Sequence, residues 1–197
     1  MAEFVGLASV ASAVSGPQPV TLELLPSLGK LILRGRDDVR QRASEHLGCA
    51  LPDLLSASAG SGTRALRLGP DAYLLLLDPE ATAATAGRLH RALAGLHHAV
   101  VEVSDRFEGV AIDGVRSREV LNAGCALDLH PRAFPVGRTV RTLLAKATVI
   151  LTRPREDDRF ELFVDRSLAP YLWLFLTNAA LEHGYKTAAP TAFPRPA

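Results

Sequence analysis

Short apolar runs alternate with longer amphipathic stretches in the first half of the chain. Between residues 30 and 103 this pattern predicts the order strand, helix, strand, strand, helix, strand. The order is that of the split β-α-β, or ferredoxin-like, arrangement. The predicted strands cover residues 31–34, 63–68, 72–77 and 100–103, and the predicted helices cover residues 37–46 and 79–96.

Turn-forming residues set the limits of these elements. Asp37 is a suitable N-cap for the first helix, and Gly48 is suited to end it. Gly69, Pro70 and Asp71 indicate a hairpin turn between two strands. Asp78 or the proline that follows it starts the second helix. The small, polar residues 54–62 are predicted to form a loop.

The second half of the chain repeats this order in part. Its predicted strands cover residues 107–112, 139–144, 148–152 and 161–164. A short helix is predicted over residues 117–122, and a long helix runs from Ser167, as N-cap, to about residue 183. The charged residues 154–159 are predicted to form a hairpin loop.

One sequence pattern occurs twice. Residues 31–51 and 110–127 each combine an apolar run ending in glycine, a helical stretch with arginine and glutamate, and the tetrapeptide Gly-Cys-Ala-Leu. The two cysteines of the chain, Cys49 and Cys125, occupy matched places in the two copies. We therefore predict an α+β fold built from two ferredoxin-like (split β-α-β) half-domains that arose by internal duplication.

This duplication divides the chain. The first half-domain is expected to cover residues 20–105 and the second to cover residues 106–185. Residues 1–19 are small, polar and interrupted by glycine and proline, which predicts a flexible N-terminal arm. Residues 186–197 contain three prolines and are predicted to form a C-terminal tail.

Composition narrows the functional classes. The 197 residues are 48% apolar and 22% charged, and the net charge is +1, so neither a nucleic acid nor an anionic membrane is an expected partner. The longest apolar run is about half of the roughly 20 residues that a membrane helix needs. The N-terminus lacks the basic segment of a secretory signal, and the two cysteines lie in apolar contexts typical of buried thiols. We therefore expect a cytoplasmic protein.

Candidate chemistry is sparse. The sequence contains no nucleophile elbow, no P-loop and no dinucleotide-binding glycine motif after a strand. His46 with Cys49 and Cys125 with His130 are conceivable zinc ligands, but the repeated turn explains both cysteines by packing. Asp105 follows a buried strand and is either catalytic or the cap of a turn. We predict no catalytic, cofactor-binding or metal-ligating residue on this chain.

Two apolar segments suggest contacts with a partner. The last predicted helix is apolar on every side, so Trp173 is buried either between the half-domains or under a partner subunit. The segment 130–135 contains two prolines and is too long for a tight turn, so it packs either on the core or on a neighbour. Within it, Arg132 and Phe134 are candidate interface anchors together with Trp173.

Three stretches make the sequence resemble a known family. They are AVVEVSD at residues 99–105, REVLNAGCALDLHPRAFPVGRTVRTLLAKA at residues 118–147, and FELFVDRSLAPYLWLFL at residues 160–176. Together they resemble the gamma subunit of heterotetrameric sarcosine oxidase. The resemblance covers about residues 20–185 and is stronger in the second copy. One strand of the family has the pattern aliphatic-Arg-aliphatic-Ser-Gly. In this chain the same strand reads Val110-Ala111-Ile112-Asp113-Gly114, so the arginine is absent.

The resemblance implies a fold similar to the folate-binding region of the glycine-cleavage T-protein. It also implies a non-catalytic subunit of an assembly that oxidatively demethylates sarcosine to glycine and releases hydrogen peroxide. The one-carbon unit leaves as methylene-tetrahydrofolate, or as formaldehyde when folate is absent. The resemblance places FAD, FMN, NAD and tetrahydrofolate on the alpha and beta subunits and zinc on the delta subunit. It also implies that this chain contacts the alpha subunit.

Two alternatives remain open from the sequence. The chain could be a gamma-type subunit of an oxidase that acts on another N-methyl amine. It could also be a stand-alone folate-binding protein of the aminomethyltransferase type, in which Asp105 would polarise the folate. The second alternative is disfavoured because the chain is about half the length of a T-protein.

Overall fold

The computed structural model describes residues 20–188. Its strands are β1 (Val20–Leu24), β2 (Gly29–Arg34), β3 (Ala57–Gly60), β4 (Thr63–Gly69), β5 (Ala72–Leu77), β6 (Ala99–Glu102), β7 (Phe107–Asp113), β8 (Thr139–Leu144), β9 (Ala147–Thr152), β10 (Phe160–Asp165) and β11 (Tyr185–Ala188). Its helices are α1 (Asp37–Leu47), α2 (Thr82–Ala92), α3 (Ser117–Asn122) and α4 (Ala169–Ala180), with 3₁₀ turns before α2 and α4.

The described residues form two compact units. The first unit contains residues 26–107 and 137–140, and we call it the five-stranded unit after its sheet. The second contains residues 20–25, 108–136 and 141–188, and we call it the six-stranded unit.

The five-stranded unit has the strand order β3-β4-β5-β2-β6. Without the edge strand β3, this is the ferredoxin-like order. Alternate residues of β2 and β5 point to one face, where they form a single core with the apolar stripes of α1 and α2. That core includes Leu31, Leu33, Tyr73, Leu75, Val39, Ala43 and Leu89.

The six-stranded unit has the order β11-β1-β7-β10-β9-β8. Strands β11, β7, β10 and β9 again follow the ferredoxin-like order, and β8 takes the outer position that β3 takes in the other sheet. The predicted fold of two ferredoxin-like half-domains is therefore confirmed. The sheet also contains β1, which pairs antiparallel with β7 and parallel with β11.

Strand β1 changes the predicted division of the chain. Residues 20–24 were expected in the first half-domain, but they belong to the six-stranded sheet because Val20 and Leu22 are fully buried there. Residues 186–188 were expected in the C-terminal tail, but they pair with β1 as part of β11. The predicted N-terminal arm, residues 1–19, and the rest of the predicted tail lie outside the described residues.

Three local predictions differ from the structure. Residues 57–60 form β3 instead of a loop, since their backbone pairs with β4 despite weak strand propensity. The N-cap of α1 is Arg36, one residue before the expected Asp37. Ser167 lies in a 3₁₀ turn and makes no capping hydrogen bond, so α4 begins at Ala169. The prediction for Asp78 is confirmed, because its carboxylate accepts a hydrogen bond from the Glu80 N–H.

The two cysteines are free and buried, as the sequence predicts. Cys49 follows Gly48, which ends α1 in the left-handed conformation with φ of 61°. Gly124, before Cys125, leaves no space for a side chain, because an added Cβ would lie 2.5 Å from the Phe175 ring. No helix among residues 20–188 is long and apolar enough to cross a membrane.

Arg159 joins the charged loop before β10 to the six-stranded sheet. Its Nη1 donates to Oε2 of Glu23 at 2.8 Å and lies 3.7 Å from Asp113 Oδ2, while its Nε lies 3.7 Å from Glu161 Oε1. Burial lowers the pKa of Arg159, but the hydrogen bond to Glu23 and the surrounding carboxylate charges raise that pKa above its ordinary value overall. The guanidinium is therefore charged at every pH at which the protein is handled, and an ion pair with the buried Glu23 ties β1 to the loop before β10.

Replacing Arg159 with Met is expected to lower the free energy of unfolding by about 3–5 kcal/mol, because it removes the cation facing a buried carboxylate. The matched control is Arg155→Met, whose guanidinium is half exposed and pairs with Asp113 and Asp157. The control should lose at most about 1 kcal/mol. Urea denaturation measures both, and equal losses for the two variants would contradict the structural role of the buried pair.

Candidate subunit interface

The loop of residues 128–136 is folded tightly onto the six-stranded unit. Asp128 Oδ1 accepts a hydrogen bond from the His130 N–H at 2.8 Å. The carbonyl of His130 accepts from the N–H groups of Ala133 and Phe134 at 2.9 and 2.8 Å. The local hydrogen bonds hold the loop in one conformation even though it contains no helix or strand.

Two arginines fasten this loop to the unit beneath it. Arg118 Nε donates to the Leu129 carbonyl at 3.0 Å, and the same guanidinium pairs with Asp158. Arg153 is only 3% exposed, and its Nη1 donates to the Phe134 carbonyl at 3.1 Å. These charged groups satisfy buried backbone carbonyls, so they have a structural role.

The structure separates the three predicted interface residues. Phe134 is 2% exposed, and its ring centroid lies 6.0 Å from that of Phe160. Trp173 is 5% exposed. Both side chains are buried within this chain, because the loop and α4 pack on the apolar sheet, and neither is available as an exposed anchor. Arg132 is exposed.

Helix α4 exposes apolar side chains on one side, which also carries the exposed polar residue Asn178. Leu174 is 56% exposed, and Leu181, the C-cap residue that follows the helix, is 54% exposed. Pro170 lies one turn before Leu174 and is also exposed. The sequence does show that this helix is apolar on every side. The apolar pattern cannot show which side is covered by the chain itself.

The candidate for chemistry, Asp105, belongs to the five-stranded unit, as does Lys30. Asp105 is exposed in the turn before β7, where the Arg106 N–H donates to the Val103 carbonyl at 3.0 Å. Lys30 is buried beside the same turn, and its Nζ donates to the carbonyls of Leu28 and Ser104 at 3.0 and 3.1 Å. Within residues 20–188, no three His, Cys, Asp or Glu side chains are grouped as metal ligands would be.

Solved structures define the class of fold. The aminomethyltransferase T of the glycine cleavage system from Bartonella henselae superposes with a TM-score of 0.61 over 88% of this chain and 48% of that chain. At 16% identity, this similarity shows the fold alone. The heterotetrameric sarcosine oxidase from Corynebacterium sp. U-96, solved with pyrrole 2-carboxylate, contains a chain with a TM-score of 0.79, 29% identity and 91% coverage of both chains.

Sequence comparison defines the family. The model of the sarcosine oxidase, gamma subunit family matches residues 37–182, so the chain belongs to that family. Sarcosine oxidase subunit gamma from Corynebacterium sp. strain U-96 is 34% identical over 74% of this chain. The Arthrobacter subunit gamma is 38% identical over 59% of this chain. The matched segments span 72% and 57% of the lengths of these two relatives.

The burial of the loop gives a direct test on the isolated chain. Phe134→Ala is expected to lower the free energy of unfolding by about 3–5 kcal/mol, because it leaves a cavity beside Phe160. Arg132→Ala, two residues away, should change that free energy by at most about 0.5 kcal/mol, since its side chain is exposed. Thermal and urea unfolding measure both variants, and a Phe134→Ala protein as stable as the parent would show that the ring is not part of the core.

Proposed function

We propose that this chain is the gamma subunit of a heterotetrameric sarcosine oxidase and that it takes no part in the chemical step. The observation that carries the proposal is the similarity to one chain of that oxidase along nearly its whole length, with a TM-score of 0.79. The chain forms part of a cytoplasmic assembly with alpha, beta and delta subunits. That assembly demethylates sarcosine to glycine and forms hydrogen peroxide.

The contacts of the charged side chains support a structural role. Arg118, Arg153 and Arg159 have their guanidinium groups engaged with backbone carbonyls or carboxylates of the same unit. A fastened loop presents the same surface before and after it meets a partner, so little conformational entropy is lost on association. FAD, FMN, NAD and tetrahydrofolate are bound by the partner subunits in this proposal.

We assign the partner contact to the exposed part of the 128–136 loop and to the exposed face of α4. Arg132 contributes a charged anchor, and Leu174 and Leu181 contribute apolar contact area. Phe134 and Trp173 support this surface from within. The contacting partner is the alpha subunit.

Co-expression with the alpha, beta and delta subunits of the same source tests the proposal. The tagged chain should co-purify with all three subunits and with sarcosine-dependent hydrogen peroxide formation. Expressed alone, it should carry no flavin absorbance after gel filtration and show no oxidase activity. Screening further N-methyl amines against sarcosine separates this proposal from a related oxidase with another substrate.

Substitution of the anchor tests the surface. Arg132→Ala should weaken association with the partner subunits by at least about 2 kcal/mol, or roughly 30-fold in Kd, while the isolated chain keeps its melting temperature. Arg91→Ala, which removes an exposed arginine from α2, is the matched control and should leave association unchanged. Failure of the parent chain to co-purify would overturn the subunit role, whereas unaffected assembly of Arg132→Ala would overturn only the choice of surface.

A further inference from the structure

A pocket of about 770 Å³ opens on the five-stranded unit. Its walls come from the end of β2, the start of α1, the turn between β4 and β5, and the segment that leads into β6. This volume is in the range of about 300–1,000 Å³ that is usual for small-molecule sites. The charged and titratable side chains that line it are Arg34, Arg36, Asp38, Asp71, His97 and His98.

One arginine of the pocket is held by a carboxylate. Arg34 Nη2 donates to both carboxylate oxygens of Asp71, at 2.8 and 3.1 Å. The hydrogen bond from Arg34 lowers the pKa of Asp71 below its ordinary value, and the nearby charge of Arg36 contributes to that lowering. Asp71 therefore stays ionised and balances the charge of Arg34.

The second arginine is available to a ligand. Arg36 is exposed and makes no capping hydrogen bond at the start of α1. Among the described residues, no hydrogen bond or ion pair holds its guanidinium. The remaining carboxylate of the pocket, Asp38, accepts a hydrogen bond from the Val39 N–H at 2.8 Å. Arg36 thus presents unused donors in a fork suited to an oxyanion.

Two adjacent histidines complete the wall. His98 Nδ1 lies 2.9 Å from the Leu96 carbonyl, which can only accept, so Nδ1 carries a proton. The Nε2 atom of His98 then becomes a donor when the ring is protonated. His97 lines the pocket next to it, and the ring of His90 lies 6.0 Å from that of His98.

We propose that this pocket binds a small ligand through a carboxylate or phosphate group, which Arg36, His97 and His98 recognise. Two arginines and two imidazoles face two carboxylates in this pocket, and Arg34 already balances one of those carboxylates. The site is on the five-stranded unit and is independent of the proposed subunit role.

Sulfate and succinate serve as the two probes, with the full chain at constant ionic strength. Sulfate stands for a phosphate group because its oxygens have the same tetrahedral arrangement. At pH 6, at least one probe should shift the ring resonances of His97 and His98 in a saturable way. Saturation by sulfate alone assigns a phosphate-type ligand, and saturation by succinate alone assigns a carboxylate.

The matched variants are Arg36→Gln and Arg42→Gln, which remove the same charge from inside and outside the pocket. Arg36→Gln should weaken binding about tenfold, as expected for the loss of one charge-assisted hydrogen bond. Arg42→Gln should bind like the parent. Unchanged melting temperatures without a probe show that both variants are folded. The proposal is overturned if neither probe gives a saturable shift at pH 6, or if the two variants respond alike.

Discussion

The six-stranded unit depends on β1, a strand near the N-terminus, whereas the other strands of its sheet begin at Phe107 or later. Strand β1 lies between β7 and β11, and its two fully buried side chains, Val20 and Leu22, contribute to the core of that unit. The buried pair between Glu23 and Arg159 fixes β1 to the loop before β10. Loop-closure entropy opposes such distant pairing, and the strand pairing together with the ion pair offsets that cost.

This constraint supports the proposed role of the chain. The six-stranded unit carries the 128–136 loop, held by Arg118 and Arg153, and the exposed apolar side chains of α4. Both features need a stable sheet beneath them, since Arg153 holds the loop from the end of β9 and α4 packs on β10. A preformed surface of this kind suits a protein that contributes contacts to an assembly.

Much of the fold could be predicted because each half repeats one hydrophobic pattern. The hairpin of β4 and β5, the short α3 and the repeated turns with Cys49 and Cys125 all follow from local sequence. The position of β1 could not be predicted, because strand pairing between distant residues leaves no local signal. The same reason explains the interface candidates. An apolar pattern identified Phe134 and Trp173 as packed residues, but it could not distinguish packing on the chain's own sheet from packing on a partner.

Hydrogen exchange at the backbone amides of β1 tests the central claim most directly. In the intact chain, the hydrogen-bonded amides of residues 21–24 should exchange with the same opening free energy as those of β7. The reason is that β1, β7 and β10 are neighbours in the sheet and are expected to unfold together. In Arg159→Met, protection of both strands should fall by the same amount. Rapid exchange of β1 while β7 and β10 remain protected would show that β1 is a detachable segment, and it would contradict the dependence of the six-stranded unit on this strand.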